Sequence, residues 1–211
     1  MSIVESSQDS QLTDELAENI YQHGFHIIDH FLDDQHYHAL SISLKTRYEQ
    51  GQLNEAKIGH RVRASNNASI RQDQTSWLDD APDNPAITAY FSAIDTICLT
   101  LNQSLFLGLT DFETHFAVYP PGAFYKKHVD QFKTTQDRRI SCVYYLNKTW
   151  QQEFGGELIL YDTAEQTLCS ILPRGNRFVC FSSELPHEVC ETQQTRYSIA
   201  GWLKVRAVAK G

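Results

Sequence analysis

The sequence predicts an α+β domain in which N-terminal helices buttress a β-sandwich or barrel. Three observations lead there. Apolar residues recur at helical intervals through the first half of the chain; beyond Asp111 they fall into short β-prone runs separated by Gly, Pro and Asn turns; and helices come first, strands second. A chain of 211 residues is long enough for one domain with a substantial core. It is read as a single domain, 1–211, with helical support over about 10–107 and a β core over about 111–205.

Residues 1–9 are polar and expected to fray. Over 10–23, Leu12, Leu16, Ile20 and Tyr21 are spaced as one face of a helix, with Gly24 as a C-terminal stop. Residues 25–31 read as a short strand. A second helix is predicted over 33–50, with Tyr37, Leu40, Leu44 and Tyr48 on one face and Gly51 after it. From 52 to 80 the chain is polar apart from Trp77, which predicts a long exposed loop or hairpin, a kind of segment that often carries function. A third amphipathic helix spans 85–107. Strands are then expected at 112–119, 139–146, 157–161, 167–172, 177–182, 187–191 and 195–205.

Hydrophobic residues make up 41% and charged residues 21% of the chain, which excludes a disordered tail. The net charge of −8 argues against a nucleic-acid partner, since phosphate binding relies on clustered Lys and Arg. Five cysteines, at 98, 142, 169, 180 and 190, form no Cys-x-x-Cys pair and sit mostly in apolar runs, as buried thiols do. With no signal-like N-terminus and no apolar run near the ~20 residues that span a bilayer, the expected setting is a reducing cytoplasm without a membrane partner.

The informative segment is Tyr125-Lys126-Lys127-His128-Val129-Asp130. Residues two apart on a strand project to one face, so His128 and Asp130 can reach one ion. His187, at the start of a later strand, supplies the third ligand of a two-His, one-carboxylate set with open positions, which suits non-haem iron(II); zinc accepts the same donors. Nine residues on, Arg196 shares a face of the last strand with Trp202. A guanidinium inside a barrel is costly without an anion, and no acid within this strand provides one. A carboxylate ligand would.

Together, His128-x-Asp130, His187 and Arg196 resemble the 2-oxoglutarate-dependent oxygenases, and in detail the prolyl hydroxylases related to the hypoxia-sensing enzymes. The resemblance covers about residues 55–205. Its anchors are Val118-Tyr119-Pro120, Tyr125-x-x-His128-Val129-Asp130, Cys142-Val143-Tyr144-Tyr145-Leu146-Asn147-Lys148-x-Trp150, Gly155-Gly156-x-Leu158, Pro186-His187-Glu188-Val189 and Arg196-Tyr197-x-Ile199-x-x-Trp202. The polar loop adds Ile70-Arg71-x-Asp73-x-x-x-Trp77, similar to the mobile substrate-covering loop of that family.

The resemblance implies a double-stranded β-helix core of the jelly-roll or cupin type. It implies Fe(II) held by His128, Asp130 and His187, with 2-oxoglutarate and O₂ as cosubstrates and ascorbate as a stimulant. Arg196 and the Tyr145 hydroxyl would bind the distal carboxylate. Tyr119, Tyr125, Leu158 and Trp202 would line the cofactor and substrate pocket, Leu158 serving equally well as plain core. Arg71, Asp73 and Trp77 would hold or gate a substrate. The implied activity is hydroxylation of a prolyl residue in a protein. The absence of appended domains is similar to the bacterial members, which points to a translation factor of the elongation factor Tu type. A ribosomal protein or small molecule is the alternative substrate, and a non-catalytic metal or 2-oxoglutarate sensor the alternative class. An AlkB-type nucleic-acid demethylase fits less well, since that family has a second Arg where Trp202 stands.

Overall fold

The computed structural model describes residues 15–56, 67–79, 83–131 and 135–206. Leu12, the polar stretch 1–9 and part of the polar loop, 57–66, lie outside them. Helix α1 (residues 15–23) buries Leu16 and Ile20, and Gly24 ends it in a left-handed conformation, its N–H donating to the Ile20 carbonyl at 3.0 Å. Tyr21 does not share that face and is 74% exposed. Five residues from Leu16, it stands well round the helix from it.

Strand β1 (Phe25–Asp29) is shorter than expected, because His30 turns to a positive φ of 56°. Helix α2 (Asp34–Glu49) follows, capped by the Asp33 carboxylate, which accepts the His36 N–H at 3.1 Å. Of its expected face, Tyr37, Leu40 and Leu44 are buried and Tyr48, in the last turn, is half-buried. Of loop and hairpin, the described residues of the polar segment hold strands that pair as in a hairpin. It contains β2 (Asn54–Glu55) and β3 (Gln74–Trp77), which pair with each other, and β3 joins the main sheet beside β4 (Leu109–Tyr119). Helix α3 (Pro85–Leu105) starts at the Asn84 cap and stops before Leu107, because the Asn102 side chain bonds both the N–H and the carbonyl of Leu109, at 2.7 and 2.8 Å.

The remaining strands are β5 (Tyr125–His128), β6 (Arg138–Tyr145), β7 (Leu158–Tyr161), β8 (Thr167–Ile171), β9 (Arg177–Ser182), β10 (His187–Val189) and β11 (Arg196–Val205). They form two antiparallel sheets, a seven-stranded one ordered β1-β9-β6-β11-β4-β3-β2 and a four-stranded one ordered β5-β10-β7-β8. Two facing sheets with helices outside one of them match the double-stranded β-helix expectation.

Strand alternation divides the large sheet between two environments. Phe116, Val118, Ile140, Cys142, Tyr144, Phe178, Ile199 and Leu203 bury against the helices. Each such Leu, Ile or Phe contributes roughly 1.5–3 kcal/mol. On the opposite face Tyr145, Val179 and Phe181 meet Leu158, Leu160 and Ile171 of the small sheet. Register on this inner face places Tyr119 opposite Arg196 and Tyr145 opposite Ser198. The candidate site lies between the sheets.

Candidate metal centre

His128 ends β5 and His187 begins β10, and the two are direct cross-strand partners. Opposite residues on antiparallel strands share a face, so the rings approach to 4.2 Å between centroids. Asp130 arrives differently from the strand alternation expected for it. β5 stops at His128, and Asp130 sits in the bend beyond, held by the Ser141 hydroxyl of β6, which donates to Oδ2 at 2.7 Å. Ser141 in turn bonds Ser183 at 2.9 Å. Asp130 thereby stands 3.6 Å from His128 Nε2 and 3.4 Å from His187 Nε2. The three ligating atoms all lie within 4.8 Å of one another.

Backbone carbonyls orient both rings. His128 Nδ1 donates to the Lys126 carbonyl at 2.7 Å and His187 Nδ1 to that of Leu185 at 2.9 Å, which leaves each Nε2 lone pair turned to the centre. Burial alone would raise the Asp130 carboxyl, but the facing His187 and His128 outweigh it and hold it well below the usual carboxylate range. Burial, aided by neighbouring His187, lowers His128. Burial also opposes charge on His187, yet the Asp130 carboxylate raises it. A divalent cation would bind the neutral form of His187 through its Nε2 lone pair.

Deeper between the sheets lies Arg196, 2% exposed. Its Nε donates to the Gly156 carbonyl at 3.0 Å and its Nη1 to Ser198 at 3.3 Å. The guanidinium lies 5.0 Å from the Tyr119 ring and 4.9 Å from the Tyr145 ring. Among the described residues no carboxylate pairs with it. The buried Tyr145 hydroxyl faces Arg196 but makes no well-formed hydrogen bond. Gly156 has φ 71°, and a Cβ there would stand 3.2 Å from Arg196 Cδ, so glycine lets this carbonyl approach. An acid-free buried guanidinium beside an unsatisfied hydroxyl fits a carboxylate ligand. With the two-imidazole, one-carboxylate set nearby, these residues fit Fe(II) chelated by 2-oxoglutarate. Leu158 is fully buried in the core between the sheets, and Trp202 is half-buried beneath the Arg138 guanidinium, 3.4 Å from its ring centre.

Arg71 and Asp73 are not solvated loop charges. Arg71 grips Asp73 through Nε at 2.7 Å and Nη2 at 2.5 Å, and Asp73 is buried. The same guanidinium lies 4.4 Å over the Tyr125 ring, which stacks on His128 at 3.6 Å. Backbone bonds from Gln72 to Phe124 and from Lys126 to Ile70 complete the attachment. These contacts attach this part of the loop to β5. Trp77 is 61% exposed and edge-on to His115. His115 is 7% exposed and shares the inner face of β4 with Ala117 and Tyr119.

Residues 114–204 match the model of the 2OG-Fe(II) oxygenase superfamily. A Pseudomonas putida prolyl-4-hydroxylase structure is 36% identical, with a TM-score of 0.83, covering 92% of this chain and all of that one. A prolyl hydroxylase from Trichoplax adhaerens, solved with a hypoxia inducible factor oxygen degradation domain peptide fragment, is 26% identical with a TM-score of 0.86, over 97% of this chain and 94% of the other. The hypoxia-inducible factor prolyl hydroxylase of Caenorhabditis elegans is 29% identical over 95% of this chain, and human Egl nine homolog 1 is 27% identical over 86%. The chain spans only 30% and 44% of the length of those two relatives.

Proposed function

Because the chain belongs to the 2OG-Fe(II) oxygenase superfamily, among its prolyl hydroxylases, we propose that it hydroxylates a prolyl residue of a protein at the expense of 2-oxoglutarate and O₂. The observation that carries this reading is a buried, acid-free Arg196 facing the unsatisfied Tyr145 hydroxyl, in the same inter-sheet space as the convergent His128, Asp130 and His187. The helical support and the β core act as one catalytic domain.

In this reading His128, Asp130 and His187 hold Fe(II), and Arg196 with Tyr145 binds the distal carboxylate of 2-oxoglutarate. When bound, this pair supplies the oxidation: 2-oxoglutarate and O₂ give succinate and CO₂, and the second oxygen atom enters a substrate C–H bond. Ser141 and the carbonyls of Lys126 and Leu185 fix the ligands' orientation. Tyr119 walls the cosubstrate, Tyr125 buttresses His128, and the Arg71–Asp73 pair fixes the loop that carries Trp77. The acidic chain and the protein substrates of prolyl hydroxylases favour a polypeptide over a nucleic acid. Five unpaired cysteines suit a reducing cytoplasm, and no described helix is long and apolar enough to cross a membrane.

A translation factor of the elongation factor Tu type is the first candidate, from the likeness to bacterial members. The test is incubation of the protein with Fe(II), 2-oxoglutarate and bacterial lysate, reading succinate and prolyl mass gains of about 16 Da, one oxygen atom. Succinate with a modified proline is expected. Succinate formation without any oxygenated proline would overturn the substrate class; no succinate at all would overturn the activity.

A further inference from the structure

Of the three candidate ligands only Asp130 lies outside a strand, in the bend after β5. Its position must come from contacts beyond the ladder, and these converge on Ser183, which is fully buried. Ser183 follows β9 in a turn closed by the Leu185 N–H, which donates to the Ser182 carbonyl at 3.0 Å. Two residues after Phe181, it keeps to the inner face of the large sheet. Register sets Ser141 of β6 opposite Phe181, so Ser183 is the diagonal neighbour of Ser141, and their hydroxyls meet at 2.9 Å.

Each polar group of Ser183 is engaged around the centre. Its N–H donates to the Arg139 carbonyl at 2.9 Å, which ties the turn to β6. Its carbonyl accepts the Gln131 N–H at 3.1 Å, which holds the bend immediately after Asp130. Its hydroxyl meets that of Ser141, whose own proton goes to Asp130 Oδ2 at 2.7 Å. A hydroxyl has one proton, so with that of Ser141 donated to the carboxylate, Ser183 is the donor of the pair. The chain runs from Ser183 to Ser141 to Asp130, and each bond polarises the next. The same turn supplies the Leu185 carbonyl that accepts from His187 Nδ1 at 2.9 Å. One turn therefore addresses two of the three candidate ligands.

We propose that Ser183 is a positioning residue of the metal centre: through Ser141, its hydroxyl holds the Asp130 carboxylate facing the two imidazoles before a cation arrives, and so raises the affinity of the site for a divalent metal. The assignment rests on the reading of His128, Asp130 and His187 as the ligand set. A serine that only filled its turn would act independently of Ser141; one that works through the Ser141 hydroxyl cannot.

The test titrates chelator-treated protein with Mn(II), reading free Mn(II) by electron paramagnetic resonance, in wild type, Asp130→Ala, Ser141→Ala, Ser183→Ala and the double serine variant. Ser141→Ala should weaken Mn(II) binding about tenfold, as loss of a ligand's hydrogen-bond partner does. Ser183→Ala, one bond further out, should weaken it about threefold. The double variant should match Ser141→Ala within about twofold, since the outer hydroxyl has nothing left to act through. Unchanged Mn(II) affinity in Ser183→Ala overturns the proposal. So does a threefold loss that adds in full to that of Ser141→Ala, which marks a role in the turn alone. If Ser141→Ala does not fold, Ser141→Thr takes its place; it keeps the hydroxyl, so Ser183→Ala should still weaken binding about threefold in that background, and no loss there overturns the assignment. A wild type that binds no Mn(II), or an Asp130→Ala variant that binds it as tightly as wild type, overturns the ligand set first and this assignment with it.

Discussion

The Tyr145 hydroxyl is buried, faces Arg196 and has no hydrogen-bond partner among the described residues, so stability and binding should respond to its removal in opposite directions. Tyr145→Phe should lower 2-oxoglutarate affinity about tenfold, as one hydrogen bond to a charged group is worth ~1.5 kcal/mol. The melting temperature of the ligand-free variant should not fall, because the deleted oxygen gains nothing in the folded state. A lower melting temperature together with unchanged affinity would refute the assigned role. His187→Ala or Asp130→Ala should abolish iron-dependent succinate formation; normal turnover by either would refute the ligand set. Arg196 was legible because a charge inside an apolar strand is a local property of sequence, and Asp130 by its spacing from His128, although it sits in a bend beyond β5; Tyr145 was legible through the family resemblance. The pairing of Arg71 with Asp73 was not. Two opposite charges in a polar loop look the same whether solvated or, as here, locked together under Tyr125.

At the scale of elements, the buried Arg71–Asp73 pair couples a loop to the strand that bears a metal ligand, through the Tyr125 ring on His128. Burial opposes charge on Arg71, but Asp73 overcomes it. Asp73→Ala leaves the guanidinium buried without its carboxylate, a loss of about 3 kcal/mol. Replacing both partners by apolar residues should recover much of that loss. Urea denaturation of the three variants checks the order, and a single variant as stable as the double would contradict it. Helix α2 was legible because Tyr37, Leu40 and Leu44 recur at helical spacing with Gly51 after them, and α3 because its stretch is amphipathic. β3 was not, because Gln74-Thr75-Ser76 has no apolar alternation; its pairing with β4 and β2 makes it a strand.

Across the whole molecule, the candidate site joins two sheets. His128 and His187 belong to the four-stranded sheet, whereas Arg196, Tyr145 and the Ser141 that holds Asp130 belong to the seven-stranded one. A cation with 2-oxoglutarate should therefore tie the sheets together. At a hundred times its dissociation constant, the pair should add ~2.7 kcal/mol and raise the melting temperature by about 5–10 °C. A chelator should reverse the gain, and a melting temperature indifferent to both would contradict the bridge. Which strands neighbour one another was not legible, since pairing depends on contacts between residues far apart in the chain. The pairing of His187 with His128 has one more consequence. Sliding β10 past β5 by a single residue would turn His187 to the other side of its sheet. A misannealed chain then has no third donor and no grip on iron. The iron content of protein refolded from denaturant is thus a census of correctly assembled molecules, taken without any substrate.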